Sequence, residues 1–198
     1  KAAEIFGLFP RSKPGDNPEK FYTQGIYRRK LLSGIEEENK MTEERLTIYD
    51  GDHNCIGEAS RNDVHRNGLW HEVIHCWMIC RMGGRDWIYF QQRAFSKADF
   101  PGFYDIASTG HVDAGEKPED AAVREAFEET GVRIEKNRLS YLGMVREEIL
   151  EGNFNDREFA HVYLYQMDIP AFAPGEEVEK MIAIPAEEIE KLDRSEND

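Results

Sequence analysis

Positive charge is in short supply in this chain. Lysine and arginine number 25 against 39 aspartates and glutamates, a formal net charge of −14. That balance argues against a nucleic-acid partner, because duplex binding depends on neutralising many phosphates with basic side chains. It leaves room for a small phosphorylated ligand, since a bound cation and two local bases can reverse the field of one site. Cysteine is also scarce. Cys55, Cys76 and Cys80 are an odd number without zinc-type pairing, which favours free thiols in a reducing compartment over a disulfide framework. Long apolar runs are missing: no segment approaches a membrane span, and no basic-then-apolar leader precedes a small-residue cleavage site. The expected setting is therefore cytoplasmic, with no membrane partner. Internal repeats and low-complexity tracts are absent as well.

What is present suits one soluble domain with an appendage. The 198 residues are enough to bury a real core, and hydrophobic content of 40% beside 32% charged residues reads as globular. A division falls near residue 41. Residues 1–40 hold the turn-rich "FPRSKPGDNP" and a stretch with Tyr27, Leu31 and Ile35 on one side of a short helix. They are expected to form an N-terminal extension outside the core, with "MTEERLTIYD" reading as the natural beginning of a domain over 41–198.

From Leu46 onward strands dominate. "LTIYD" and "CIGEAS" flank the turn "GDHN" as a hairpin, and "HEVIHCWMIC" alternates, followed by "WIYFQQR" after a glycine turn. "LSYLGMVREEI" and "EFAHVYLYQMDI" predict two more strands. The terminal "IPAEEIEKL" predicts a helix opening at Pro185 with Ile189 and Leu192 on one face. Strands with one strong internal helix and a terminal helix predict an α/β chain of the α+β kind, a mixed β-sheet packed between α-helices.

The internal helix carries the strongest signal. In "GHVDAGEKPEDAAVREAFEETGV" Pro118 suits a first helical turn, Glu119 and Asp120 suit the positive end of the dipole, and Gly131 is the expected stop. Ala122 and Ala126 permit close packing, and Val123 and Phe127 form an apolar i,i+4 pair. Glu125, Glu128 and Glu129 then share one face, where like charges repel by about a few tenths of a kcal/mol per pair. Such a cluster is either a solvated acidic face or a seat for a cation. Glu116 in the preceding glycine turn and Arg124 within the helix add a further carboxylate and a brace. Carboxylates with few competing partners suit Mg²⁺, which binds through them and substrate phosphates together.

This spacing resembles the box of the Nudix hydrolases: Gly, five residues, Glu, seven residues, then Arg-Glu-apolar-x-Glu-Glu-x-Gly-apolar. Gly110, Glu116, Arg124, Glu125, Ala126, Glu128, Glu129, Gly131 and Val132 meet every position. The resemblance implies a Nudix fold and hydrolysis of a diphosphate linked to another moiety. It makes Glu125, Glu128 and Glu129 metal ligands for Mg²⁺, with Mn²⁺ as an alternative, and one of them or a nearby carboxylate the base. Gly110, Glu116, Arg124 and Gly131 become structural braces. The implied partner is a small phosphorylated substrate, with a homodimer an open alternative to a monomer.

A second resemblance spans roughly Leu46 to Asp168. "HRNGLWHEVIHCWMI" and "QQRAFSKADFPGFYDIASTGH" look like type I isopentenyl diphosphate isomerase and its hydrolase-like relatives. By that likeness His65, His71 and His111, with Glu158 and Asp156, match a metal site, and Arg93 and Lys97 match the residues that hold the diphosphate. A guanidinium fork and an ammonium point charge suit phosphate oxygens, although an ordinary basic loop would look the same. Taken alone, His65 and His71 would read as satisfied histidines. His75 and His161 read as packing residues.

One departure decides between the classes. Isomerases carry a catalytic cysteine immediately before the Gly-His pair, and here that position is Thr109. A threonine hydroxyl is a far weaker acid than a thiol, so proton traffic at carbon loses its donor. The complete glutamate box points instead to a Mg²⁺-dependent hydrolase. The rivals are an isomerase-like enzyme, a silent nucleotide-sensing module and an acidic scaffold.

Overall fold

The computed structural model describes residues 44–97, 100–151 and 154–189. Residues 1–40 and Leu192 lie outside the described residues. Strand β1 (Arg45–Tyr49) and strand β2 (Cys55–Ser60) pair antiparallel, as the hairpin signal predicts. The Asp50 carboxylate closes their turn by accepting the N–H groups of Asp52 and Asn54 at 3.0 and 2.8 Å.

Helix α1 (Arg61–Asn67) follows at once and was not expected. Its sole buried side chain is Val64, so seven residues leave no apolar periodicity to read. Its ends nonetheless carry signals. Ser60 Oγ accepts the Asp63 N–H at 3.2 Å, and Gly68 closes the helix in the left-handed region.

The centre of the molecule is β3 (Trp70–Met82). Along one edge β8 (Phe154–Met167) runs parallel to it, from His71 paired with Glu158 to Cys80 paired with Met167. The other edge is shared in succession by β1, by β6 (Ser108–His111) and by β4 (Arg85–Arg93). β5 (Tyr104–Ile106) and β9 (Val178–Pro185) flank β4, and β7 (Leu139–Glu151) pairs with β8, completing a mixed sheet.

Burial along β3 is nearly continuous because both of its faces are covered. Ile74, Cys76 and Met78 pack with Ala121, Ala122 and Ala126 of α2 (Pro118–Thr130), while Trp77 packs with Phe90, Val162 and Ile189 in a second cluster. The alanines bring α2 close to the sheet. Of the apolar i,i+4 pair, Val123 packs against the core while Phe127 is exposed, with the Arg133 guanidinium 4.3 Å from its ring centroid. β9 was also missed, because "VEKMIAIP" puts charged residues beside a short apolar run at the sheet's rim. Pro185 ends β9, and residues 186–189 follow it as a helical turn. All three cysteines are free thiols, two of them buried. Among the described residues no helix is long and apolar enough to cross a membrane.

Candidate active site

The site is built where β6 runs beneath α2. Gly110 on β6 lies directly against Glu125, and a Cβ placed there would come within 2.1 Å of the Glu125 Cδ. Gly131 ends α2 at φ +73°, where a Cβ would lie 2.6 Å from the Ala173 carbonyl oxygen. The two glycines are thus needed for close approach and for a left-handed cap. Between them Arg124 ties the box together. Its Nε and Nη2 donate to the two oxygens of Glu116 at 3.1 and 2.8 Å, and Nη2 also reaches the His111 carbonyl at 3.0 Å. Nη1 meets Glu125 at 2.6 Å and Glu128 at 3.4 Å. A bidentate fork of this kind fixes direction as well as charge.

The three box glutamates sit in different surroundings. Glu128 is mostly exposed, with 57% of its side chain open to solvent. Burial pushes the Glu125 carboxyl up, against the lowering effect of Arg124. Glu129 is buried; its Oε2 accepts from Gln91 Nε2 at 3.1 Å and from the Thr109 N–H at 2.9 Å. Burial outweighs those hydrogen bonds and pushes Glu129 up to about 8. All-oxygen donors of this kind fit Mg²⁺ or Mn²⁺, and Arg124 Nη1 already draws Glu125 and Glu128 toward one point.

A second set of donors faces them. His65 from α1, His71 from β3 and His111 from β6 bring ring nitrogens within 4.8 Å of one another, and His71 does the same with Asp156 and Glu158. The Nε2 atoms of His65 and His111 are 3.3 Å apart. His71 Nδ1 lies 3.1 Å from the Leu69 carbonyl, while its Nε2 is buried without a hydrogen-bond partner, 4.0 Å from carboxylate oxygens of both Asp156 and Glu158. Burial, reinforced by the charge of His111, lowers His65 to about 4 and His71 to about 3, so both rings are neutral with lone pairs to give. Glu44 accepts from His111 Nδ1 at 2.9 Å, the outer contact that orients a ligating imidazole. Burial raises Asp156 and Glu158, and mutual repulsion raises Glu158 further. A partnerless buried nitrogen aimed at two crowded carboxylates fits a divalent cation.

The box glutamates and, from the second set, His65, His111, Asp156 and Glu158 line one cavity of about 800 Å³, with His71 buried behind them. Arg93, at the end of β4, and Lys97, in the loop after it, stand in its wall. Arg93 Nη1 is 3.8 Å from Asp105, and Lys97 is paired with Glu177, so each base is held by an acid. Thr109 lines the same space. Sequence reasoning missed Gln91, Asp105 and Glu44, which are single polar residues whose partners are distant in the chain. It also misassigned two histidines. His75 lines the cavity and converges with Glu147 and Glu158 rather than packing. His161 is part-buried and bonds Glu72 at 2.9 Å. Both are part-buried and flanked by buried residues on strands covered on both faces, so the pattern could not separate them from core residues.

Helix, loop and sheet of this form define a NUDIX domain. The NUDIX domain family model matches residues 69–198, and the chain belongs to the Nudix hydrolase family. It is 42% identical to an uncharacterised Nudix hydrolase of Clostridium acetobutylicum over 125 residues, covering 63% of this chain and 60% of that protein. Nudix hydrolase 3 of Arabidopsis thaliana is 33% identical over 135 residues, 65% of this chain but 17% of that one. The chain therefore spans less than two thirds of either relative's length. An isopentenyl-diphosphate Delta-isomerase of Serratia proteamaculans is 33% identical over 135 residues, 68% of this chain and 73% of that enzyme. In fold, the chain resembles the solved structure of a Deinococcus radiodurans protein, with a TM-score of 0.57 at 24% identity over 77% of this chain and 90% of the other.

Proposed function

We propose that this chain is a Mg²⁺-dependent pyrophosphohydrolase that cleaves a diphosphate linkage in a small phosphorylated metabolite, such as a nucleoside diphosphate linked to another moiety. The observation that carries the reading is Arg124 clamped on Glu116 while drawing Glu125 and Glu128 to the cavity beside buried Glu129. A divalent cation bound there would polarise the phosphoryl oxygens and lower the pKa of its water. Glu125 and Glu128 would hold it, with Mn²⁺ able to replace Mg²⁺. Glu129, raised to about 8 by burial, is poised near neutrality to hold or accept a proton. Arg93 and Lys97 would exchange Asp105 and Glu177 for substrate phosphate, keeping each base oriented until the anion arrives. The test is release of phosphate or a nucleoside monophosphate, with Mg²⁺ and with chelator, across nucleoside diphosphate derivatives and prenyl diphosphates. Turnover of some member that stops with chelator is expected; no Mg²⁺-dependent cleavage of any member would overturn the reading.

The convergence of His65, His71 and His111 on Asp156 and Glu158, with relatives named isopentenyl-diphosphate Delta-isomerase, favours an isomerase-like enzyme as the second reading. Thr109 weighs against it, because its hydroxyl stays un-ionised at neutral pH where a thiol could be tuned. Deuterium uptake from heavy water into the allylic product of isopentenyl diphosphate separates the two. No uptake is expected from the natural sequence, and robust uptake would reverse the order of the readings. Uptake confined to Thr109→Cys would trace the difference to this single position.

A further inference from the structure

A different group of donors lies outside the cavity. Successive side chains of a strand alternate between faces, so Glu72 points away from His71 and Val73. On β8 the pairings Glu72 with Phe159 and Ile74 with His161 put His161 on the same face as Glu72. The turn between β1 and β2 delivers His53 over that face, with its ring 4.4 Å from Phe159. His53 adopts φ +65°, a left-handed conformation that the Asp50 hydrogen bonds of the turn support. None of these three side chains lines the cavity.

We propose that His53, Glu72 and His161 form a further metal site outside the cavity, built for Zn²⁺, that staples the hairpin turn to the centre of the sheet. Their ligand atoms all lie within 4.8 Å of one another. His53 Nε2 and His161 Nε2 each lie 2.9 Å from the same oxygen, Glu72 Oε1. Zinc bonds of about 2.0–2.1 Å in a tetrahedron set neighbouring donors roughly 3.3 Å apart. The two imidazole–carboxylate contacts therefore need only a slight opening, and all three ligand atoms already lie within 4.8 Å of one another. Two imidazoles and one carboxylate are a donor set that zinc uses when one position stays open, whereas Mg²⁺ demands an octahedron of oxygens. Outer contacts are in place too: Tyr49 donates its hydroxyl to Glu72 Oε2 at 2.8 Å, and the Tyr141 hydroxyl is 3.3 Å from His161 Nδ1. The side chains are 29%, 13% and 12% exposed for His53, Glu72 and His161, open enough for an ion to enter yet shielded from bulk water.

The competing account is a hydrogen-bond hub in which both rings donate Nε2–H to Glu72. Metal needs both Nε2 lone pairs, so the ring protons must sit on Nδ1, and the two accounts differ in what zinc does. The test uses the full chain stripped of metal by chelator, in a His65→Gln, His111→Gln background that disables the histidine cluster of the cavity. Zinc stoichiometry after equilibrium dialysis, the visible absorption of bound Co²⁺ and the melting temperature are read with and without His53→Ala. One zinc equivalent, a tetrahedral Co²⁺ spectrum and a zinc-dependent rise in melting temperature are expected, and all three should vanish in His53→Ala. His53 stands on an exposed turn, so its loss should leave the metal-free protein folded. Should the double-Gln background fail to fold, the natural sequence and His53→Ala are compared instead, with a loss of one equivalent expected. Identical zinc stoichiometry and Co²⁺ spectra with and without His53 would overturn the site and leave only the hydrogen-bond hub.

Discussion

Arg124 contacts Glu116, Glu125 and Glu128, and Glu129 lies buried beside them. Glu125→Gln or Glu129→Gln should lower kcat by roughly 10²–10⁴, the scale for losing a positioned proton acceptor or metal ligand. Neither substitution should harm the metal-free fold, because burial already disfavours the charged form of both side chains. Steady-state kinetics beside thermal denaturation in chelator separates the two effects, and undiminished turnover in both variants would remove the box from the mechanism. Arg93 and Lys97 act on binding rather than chemistry. Their replacement by alanine should raise KM while leaving Mg²⁺ affinity unchanged, as expected for contacts made equally in ground and transition states. An unchanged KM for every accepted substrate would reduce them to partners of Asp105 and Glu177.

Elements enter through their ends. Helix α2 is pinned at Gly110 and Gly131 by contacts that leave no space for a methyl group. At Gly110 the obstacle is the Glu125 side chain, so Gly110→Ala should displace that carboxylate and reduce turnover more than it reduces stability. At Gly131 the obstacle is backbone, at a φ that L side chains rarely adopt, so Gly131→Ala should cost about 1–3 kcal/mol of stability. Chemical denaturation and activity assays on the pair should show this inversion; equal loss of both quantities in both variants would contradict it. Helix α1 depends on its Ser60 cap. Ser60→Ala should cost about 0.5–2 kcal/mol and loosen His65, which hangs from that helix.

For the whole molecule the concentration of buried acid sets a pH dependence. Glu129 is raised to about 8 in the fold, while an unfolded glutamate titrates near its ordinary value of 4.5. Between those values the folded chain keeps a proton that the unfolded chain has lost, so stability falls as pH rises. Metal-free protein should therefore show its melting temperature declining from about pH 4.5 to about pH 8 through this group. Glu129→Gln should flatten the decline, and a bound divalent cation should offset it by favouring the folded state. A melting temperature that rises across the window in both proteins would mean that other groups dominate. The same crowding of carboxylates is what readies the cavity for cations.

How much of this was legible in the sequence follows from the range of each signal. The hairpin of β1 and β2, the long strands β3, β4, β7 and β8, and helix α2 with its proline start and glycine stop were all readable, because they are encoded in local spacing. The box residues were readable for the same reason: one loop and one helix hold Gly110 through Val132. Only the tertiary structure brought His65, His71 and His111 to Asp156 and Glu158, since those residues come from separate elements joined by strand register. It alone gave Glu129 its partners Gln91 and Thr109, and it alone set Arg93 against Asp105. Helix α1 and strand β9 escaped notice because short or rim elements bury too little to impose a period. His53 and His161 show the limit most clearly: they are 108 residues apart in number but meet the same Glu72 oxygen at 2.9 Å. Spacing along a chain determines which groups a helix or turn presents together, whereas burial and long-range pairing decide which charges must share one space.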